Sequence, residues 1–171
     1  MNLYDEILIF DWFRIFYIEN NGMAFGMELP DPYGKLILTL FRIIVVGWGM
    51  FYVHKLIKQN SFPSGLLICF GLIIGGALGN IIDSTFYGLI FNESYNTIAS
   101  FLPEAGGYES ILYGKVVDML YFPLMNSHFP EWFPVWGGEH FIFFRPVFNI
   151  ADAGISVGIF MILLFYRNEF N

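Results

Sequence analysis

Three aspartates stand where this sequence can least easily accommodate a charge. Asp83 and Asp152 lie at the ends of apolar runs, and Asp118 sits in the apolar stretch Lys115-Val116-Val117-Asp118-Met119. A carboxylate near hydrocarbon costs about 2.5–3.5 kcal/mol on insertion scales, so one that is kept is a candidate for function. Two of the three have an asparagine three residues ahead, Asn80 before Asp83 and Asn149 before Asp152. That spacing places both side chains on one helix face, and the repeated pair suggests two walls of one polar site. Two aspartates that share a water can divide the work of acid and base, because neighbouring like charges drive their titrations apart. Such a pair activates water for attack on a peptide carbonyl without a metal or other cofactor. The same carboxylates would also serve a proton relay or an ion path, and the pattern alone leaves that alternative open.

The rest of the chain offers less. His128 and His140 with Glu139 fit no common zinc spacing. Ser61, Ser64 and Ser84 have no histidine and aspartate arranged around them as a nucleophile needs. Cys69 is the single cysteine, which excludes a disulfide framework and a cysteine metal site.

The elements that must hold the aspartates are membrane elements. Of the 171 residues 56% are hydrophobic and only 13% charged, against about a quarter charged in a soluble domain. The mean hydropathy of +0.58 agrees. A net charge of −7 argues against nucleic acid as a partner, since phosphate binding requires clustered Lys and Arg. The N-terminal residues carry Asp5, Glu6, Asp11 and Arg14 among their aromatics and have no basic leader, so no cleavable signal peptide is visible.

Residues 1–35 alternate apolar and polar positions, as in Trp12-Phe13-Arg14-Ile15-Phe16-Tyr17-Ile18-Glu19, which favours strand. Turns at Asn20-Asn21-Gly22 and at Pro30-Asp31-Pro32-Tyr33-Gly34 complete an expected external β hairpin. Spans follow at 36–58, 63–91 and 147–167, each long enough for a bilayer that needs about 20 residues. Arg42 lies within the first span and must snorkel or find a partner. The basic loop His54-Lys55-Leu56-Ile57-Lys58 marks the cytoplasmic side, which leaves the three aspartates near the outer face. Gly71, Gly75 and Gly79 recur at four-residue spacing, and Gly71 and Gly75 are expected to let helices approach closely. Residues 92–146 are expected outside, lying on the membrane through Trp132, Phe133, Trp136, Phe141, Phe143 and Phe144. The expected fold is therefore an integral membrane, mainly α-helical protein of three visible transmembrane helices, with a small extracytoplasmic β-rich and interfacial part.

Four stretches, in order, resemble the motifs of the bacterial lipoprotein signal peptidase (signal peptidase II) family. They are Asn20-Asn21-Gly22-Met23-Ala24-Phe25-Gly26; Gly75-Gly76-Ala77-Leu78-Gly79-Asn80-Ile81-Ile82-Asp83; Val116-Val117-Asp118; and Phe148-Asn149-Ile150-Ala151-Asp152-Ala153-Gly154-Ile155. The resemblance implies an aspartyl endopeptidase of the bacterial inner (cytoplasmic) membrane. Its substrates would be diacylglyceryl-modified prolipoproteins, cut before the lipidated cysteine at the extracytoplasmic face, with membrane lipids as further partners, no metal, and a monomeric enzyme. Carried over residue by residue, Asp118 and Asp152 would be the catalytic pair. Asn20, Gly22, Asn80, Asp83, Asn149 and Ala151 would shape and bond the site, with Asn20 reaching Asn80 and Asp152.

Three departures stand beside the match. Ser84 occupies the position where the family usually has Arg after the aspartate matching Asp83, and Arg145 is a candidate stand-in. The interval between Asp83 and Asp118 is long, so an insertion near 85–113 is expected to form a loop over the site. The family has four spans, and the first, with its D-Q-x-x-K-like motif, is absent, so a helix of about 20 residues is expected ahead of Met1. An inactive family member, or a small transporter or proton-relay protein, are the alternative functions. The relay predicts polar residues spread through the spans, whereas here they cluster at one end.

Overall fold

The computed structural model describes residues 1–22, 29–30, 32–59 and 62–170. The Met23-Ala24-Phe25-Gly26 part of the first motif, Asp31 in the second expected turn, and Ser61 lie outside the described residues.

Three helices are long and apolar enough to cross a membrane. Helix α1 spans Gly34–Gln59 and α2 spans Ser64–Ile90. The third begins as α3, Ile150–Met161, and runs on through a π turn, Ile162–Tyr166, and a 3₁₀ turn, Arg167–Phe170. Their apolar side chains point outward: Ile37, Phe41, Ile44, Trp48 and Phe51 on α1 are all exposed. In a soluble protein such a surface would aggregate; here hydrocarbon is its solvent, and the chain is a mainly helical membrane protein.

With so little apolar side chain inside, α2 and α3 are held by close backbone approach. At Gly76 a Cβ would run into the Ala151 carbonyl, and at Gly158 it would lie 2.8 Å from the Cys69 carbonyl. A Cβ at Gly79 would meet that of Ala151 at 3.4 Å. Gly71 and Gly75, expected to serve this contact, face open space instead. Of the four-residue series only Gly79 serves the contact, because the α2 face turned to α3 is the one bearing Gly76, Gly79 and Asn80.

A four-stranded sheet of order β1-β2-β3-β6 stands at one end of the helices. Strands β1 (Glu6–Phe10) and β2 (Phe13–Asn20) form the hairpin expected at the N-terminus. Its turn is Asp11-Trp12, whereas Asn20-Asn21-Gly22 ends β2 and bends the chain toward α1. Strand β3 (Val116–Tyr121) pairs antiparallel with β2, setting Ile18 opposite Asp118. The short β6 (Val147–Phe148) pairs with β3, with Leu120 opposite Phe148. Residues 147–148, expected to open the third span, are therefore strand, and the helix starts at Ile150.

Between β3 and β6 a second hairpin, β4 (Met125–His128) with β5 (His140–Phe143), carries the stack Phe129, Phe133, Phe141 and Trp136. The insertion folds back along the end of α2 rather than over the aspartates. Its amides at Tyr108, Glu109, Leu112 and Gly114 bond to carbonyls of Phe91, Gly88, Thr85 and Ser84.

Candidate active site

The sheet and the helix ends converge on the aspartates. Because Leu120 pairs with Phe148, the next residue along from β6, Asn149, is delivered beside Asp118. Asn149 is also the N-cap of α3. Its side chain accepts from the Asp152 amide at 3.0 Å, and its own amide donates back to Asp152 Oδ2 at 3.4 Å, a reciprocal capping box. One residue thus starts the helix and fixes the rotamer of the aspartate in its first turn.

The amides close a chain between the two carboxylates. Asn149 Nδ2 lies 2.9 Å from Asp118 Oδ1 and 3.1 Å from Asn80 Oδ1. Asn80 Nδ2 donates to Asp152 Oδ1 at 2.7 Å. On the other side, Asn20 Nδ2 donates to Asp118 Oδ2 at 3.0 Å, and Asn20 Oδ1 accepts from the Gly22 amide at 2.7 Å. Asn20 therefore reaches Asp118, not Asn80 or Asp152 as expected from the sequence. Asp83 stands behind this array, bonded to the Tyr87 side chain and the Val117 backbone, and so ties α2 to β3 one residue from Asp118.

Asp118 is 3% exposed. Burial raises its pKa above the ordinary carboxylate range; the bonds from Asn20 and Asn149 pull it down, while the charges of Asp152 and Asp83 push it further up. A carboxyl in this setting holds its proton into a range where an ordinary aspartate has lost it. Beside the aspartates lies a cavity of about 340 Å³, lined by Ile15, Asn80, Asp83, Met119, Asn149 and Ala151 among others.

The structure brings together Asn20, Gly22, Asn80, Asp83, Asp118, Asn149, Ala151 and Asp152 from stretches far apart in the chain. Arg145 is not among them: it is exposed on the coil before β6 and does not line the cavity. Position 84 has no space for an arginine, since Ser84 is fully buried beneath the Gly114 segment. Arg42 brings a cation to the site: its guanidinium donates to the Gly22 carbonyl and interacts with the charges of Asp152 and Asp118. Its signal in the sequence was the cost of a lone arginine in an apolar span; what it paired with was not legible there.

A family model described as Signal peptidase (SPase) II matches residues 1–167. The chain belongs to the signal peptidase II family. It is 50% identical over 155 residues to the lipoprotein signal peptidase of Porphyromonas gingivalis, covering 91% of this chain and 67% of that protein. The lipoprotein signal peptidase of Amoebophilus asiaticus is 39% identical over 158 residues, 92% of this chain and 62% of its own length. That of Chlorobaculum parvum is 32% identical over 166 residues, covering 96% and 78%. The chain thus spans about two thirds of the length of the first two relatives. A solved structure described as a bacterial membrane enzyme, 20% identical, superposes with a TM-score of 0.59 over 100% of this chain and 76% of that one, and shares the fold. Family membership makes the chain a peptidase.

Proposed function

We propose that this protein removes signal peptides from diacylglyceryl-modified prolipoproteins, cutting before the lipidated cysteine, and that Asp118 and Asp152 do the chemistry. The observation that carries the reading is the Asn149–Asn80 link between the two carboxylates, which holds them in one site beside a cavity lined by Asn80, Asn149 and Ala151.

Asp118, buried and inclined to keep its proton, hydrogen-bonds the scissile carbonyl. Asp152 lies in the first turn of α3, where the helix N-terminus favours negative charge. As the carboxylate it takes a proton from water, and the hydroxide adds to the carbonyl carbon. The tetrahedral intermediate then collapses as Asp152 passes that proton to the nitrogen of the lipidated cysteine, and the C–N bond breaks. The two protons belong to the pair, so the rate reports the pair's titration rather than either residue alone.

A substrate held by a signal helix and two acyl chains presents its scissile bond at the membrane surface. Asp83 lies near the end of α2, Asp118 on β3 and Asp152 at the start of α3, while the basic stretch expected as a loop, His54–Lys58, forms the last turns of α1. The proposed site therefore faces the extracytoplasmic side of the inner membrane, since short basic segments mark the cytoplasmic side. The β4–β5 hairpin, with Trp132 79% and Trp136 51% exposed, lies at the interface and closes over the bound substrate as a flap. The enzyme acts as a monomer.

The test is cleavage of a synthetic diacylglyceryl prolipoprotein peptide by the purified chain in detergent, with the products located by mass spectrometry. A single cut before the modified cysteine, much slower on the unlipidated peptide, is the expected result. Intact peptide, or equal cleavage of both peptides, would contradict the proposal.

A further inference from the structure

Arg42 lies on the apolar helix α1, beyond its first two turns. A guanidinium there is tolerated only where its charge and donors are used. Its guanidinium donates to the Gly22 carbonyl. Gly22 is shaped to receive it: φ is +107°, and a Cβ would meet Arg42 Nη1 at 2.8 Å and Leu38 Cδ2 at 3.2 Å. Lys35, two turns earlier on the same helix face, holds the neighbouring Asn21 carbonyl at 2.8 Å. Two cations of α1 thus grip consecutive carbonyls of the bend that follows β2. The bend's product is the position of Asn20, which takes the Gly22 amide on its oxygen and gives its own amide to Asp118.

The charge matters as well as the bond. Among the described residues, Arg42 from α1 interacts with the charges of both aspartates, and Asp83 from α2 with that of Asp118. Lys35 is occupied with Asn21, and Lys115 on the far side of β3 is paired with Glu19 at 2.7 Å and Glu93 at 3.5 Å. Removing the positive charge of Arg42 would favour the protonated forms of the carboxyls it faces.

We propose that Arg42 is a positioning residue for peptide cleavage: it fixes the Asn20–Gly22 bend against Asp118 and brings a permanent positive charge to the Asp118–Asp152 pair. The inference rests on the aspartyl reading above. It assigns the work of the missing arginine at position 84 to a different helix.

The test compares Arg42→Gln and Arg42→Lys with the wild type through kcat, KM and the pH profile of lipopeptide cleavage, with melting curves as the check on folding. Arg42→Gln should lower kcat about 10- to 100-fold, leave KM within about threefold, and move the profile up by about one pH unit, because losing a cation favours the protonated carboxyls. Arg42→Lys keeps the charge without the planar fork. It should hold the profile in place while recovering only part of kcat. Wild-type kcat and profile in Arg42→Gln would overturn the proposal, and so would a loss of rate with an unmoved profile, the mark of a merely structural residue. Should Arg42→Gln fail to fold, Arg42→Lys decides alone: a displaced profile or full wild-type kcat sinks the inference. Activity surviving in Asp118→Asn would instead remove the aspartyl reading beneath it.

Discussion

Each carboxylate of the pair is bonded by two N–H donors before any substrate arrives, Asp118 by Asn20 and Asn149, Asp152 by Asn80 and the Asn149 backbone. Asn149 has two duties that substitution can separate. Asn149→Ser keeps a good helix cap and loses the bond to Asp118; Asn149→Ala loses both. Both should lower kcat about 10- to 100-fold, since bonds to charged groups are worth about 1.5–3 kcal/mol, while only Ala should also cost about 1 kcal/mol of stability. Melting curves and cleavage rates on the two variants check this. Because burial raises the Asp118 pKa, activity that needs its proton should persist above the ordinary aspartate range near 3.9 and fall as pH rises through the raised value. The same shift makes the folded state bind the proton more tightly than the unfolded chain, so this residue's contribution to stability also declines with pH across that window. Asp83→Asn keeps an acceptor for Tyr87 and Val117 and removes a charge that pushes Asp118 up. It should cost less than about tenfold in rate and move the alkaline limb down. An upward displacement in the pH–rate profile would contradict the assignment. The aspartates and asparagines were legible in the sequence from their spacing at the ends of apolar runs. Which of them touch was not, because the Asn149–Asp118 bond depends on a two-residue strand that no periodicity announces.

At the scale of elements, the contact between α2 and α3 decides whether Asn80 and Asp152 meet. Gly76→Ala would drive a methyl into the Ala151 carbonyl and should destabilise by about 1–3 kcal/mol, with a loss of activity because Ala151 is next to Asp152. Gly71→Ala and Gly75→Ala enter open space and should be neutral or stabilising by up to about 1 kcal/mol, as alanine is the better helix former. Thermal unfolding of the three variants in detergent distinguishes them, and equal destabilisation would show the contact to be misplaced. The sequence displayed the glycines without saying which face they served: Gly75 and Gly76 are neighbours in the chain, yet only Gly76 meets α3. The spans themselves were legible from composition to within a few residues. The sheet was half legible: alternation revealed β1 and β2, but their pairing with β3, about a hundred residues later, has no local signature. The insertion illustrates the same limit. Its length was visible, but its course along α2 is set by bonds to carbonyls at the helix end and by the Glu19–Lys115 ion pair, at which Ser94 donates to Glu19.

For the molecule as a whole, one site is assembled where three helices meet a small sheet, and the β4–β5 hairpin leaves Trp132 and Trp136 exposed. Trp132→Ala and Trp136→Ala should weaken lipopeptide binding and membrane association, raising KM several-fold with the pH profile unmoved, because amphipathic rings anchor at the interface and take no part in proton transfer. Unchanged KM in both variants would reduce the hairpin to a spacer. The family could be recognised from four ordered motifs; the cation at the site could not, since Arg42 lies in none of them. The central claim is that Asp118 and Asp152 together activate water. It is tested most directly by measuring lipopeptide cleavage by Asp118→Asn and Asp152→Asn beside the wild type, with matched melting curves. The account predicts that each variant remains folded and loses at least about a thousandfold in rate, the scale of a lost acid or base. A folded Asp118→Asn or Asp152→Asn protein that cuts the lipopeptide at the wild-type rate would contradict it.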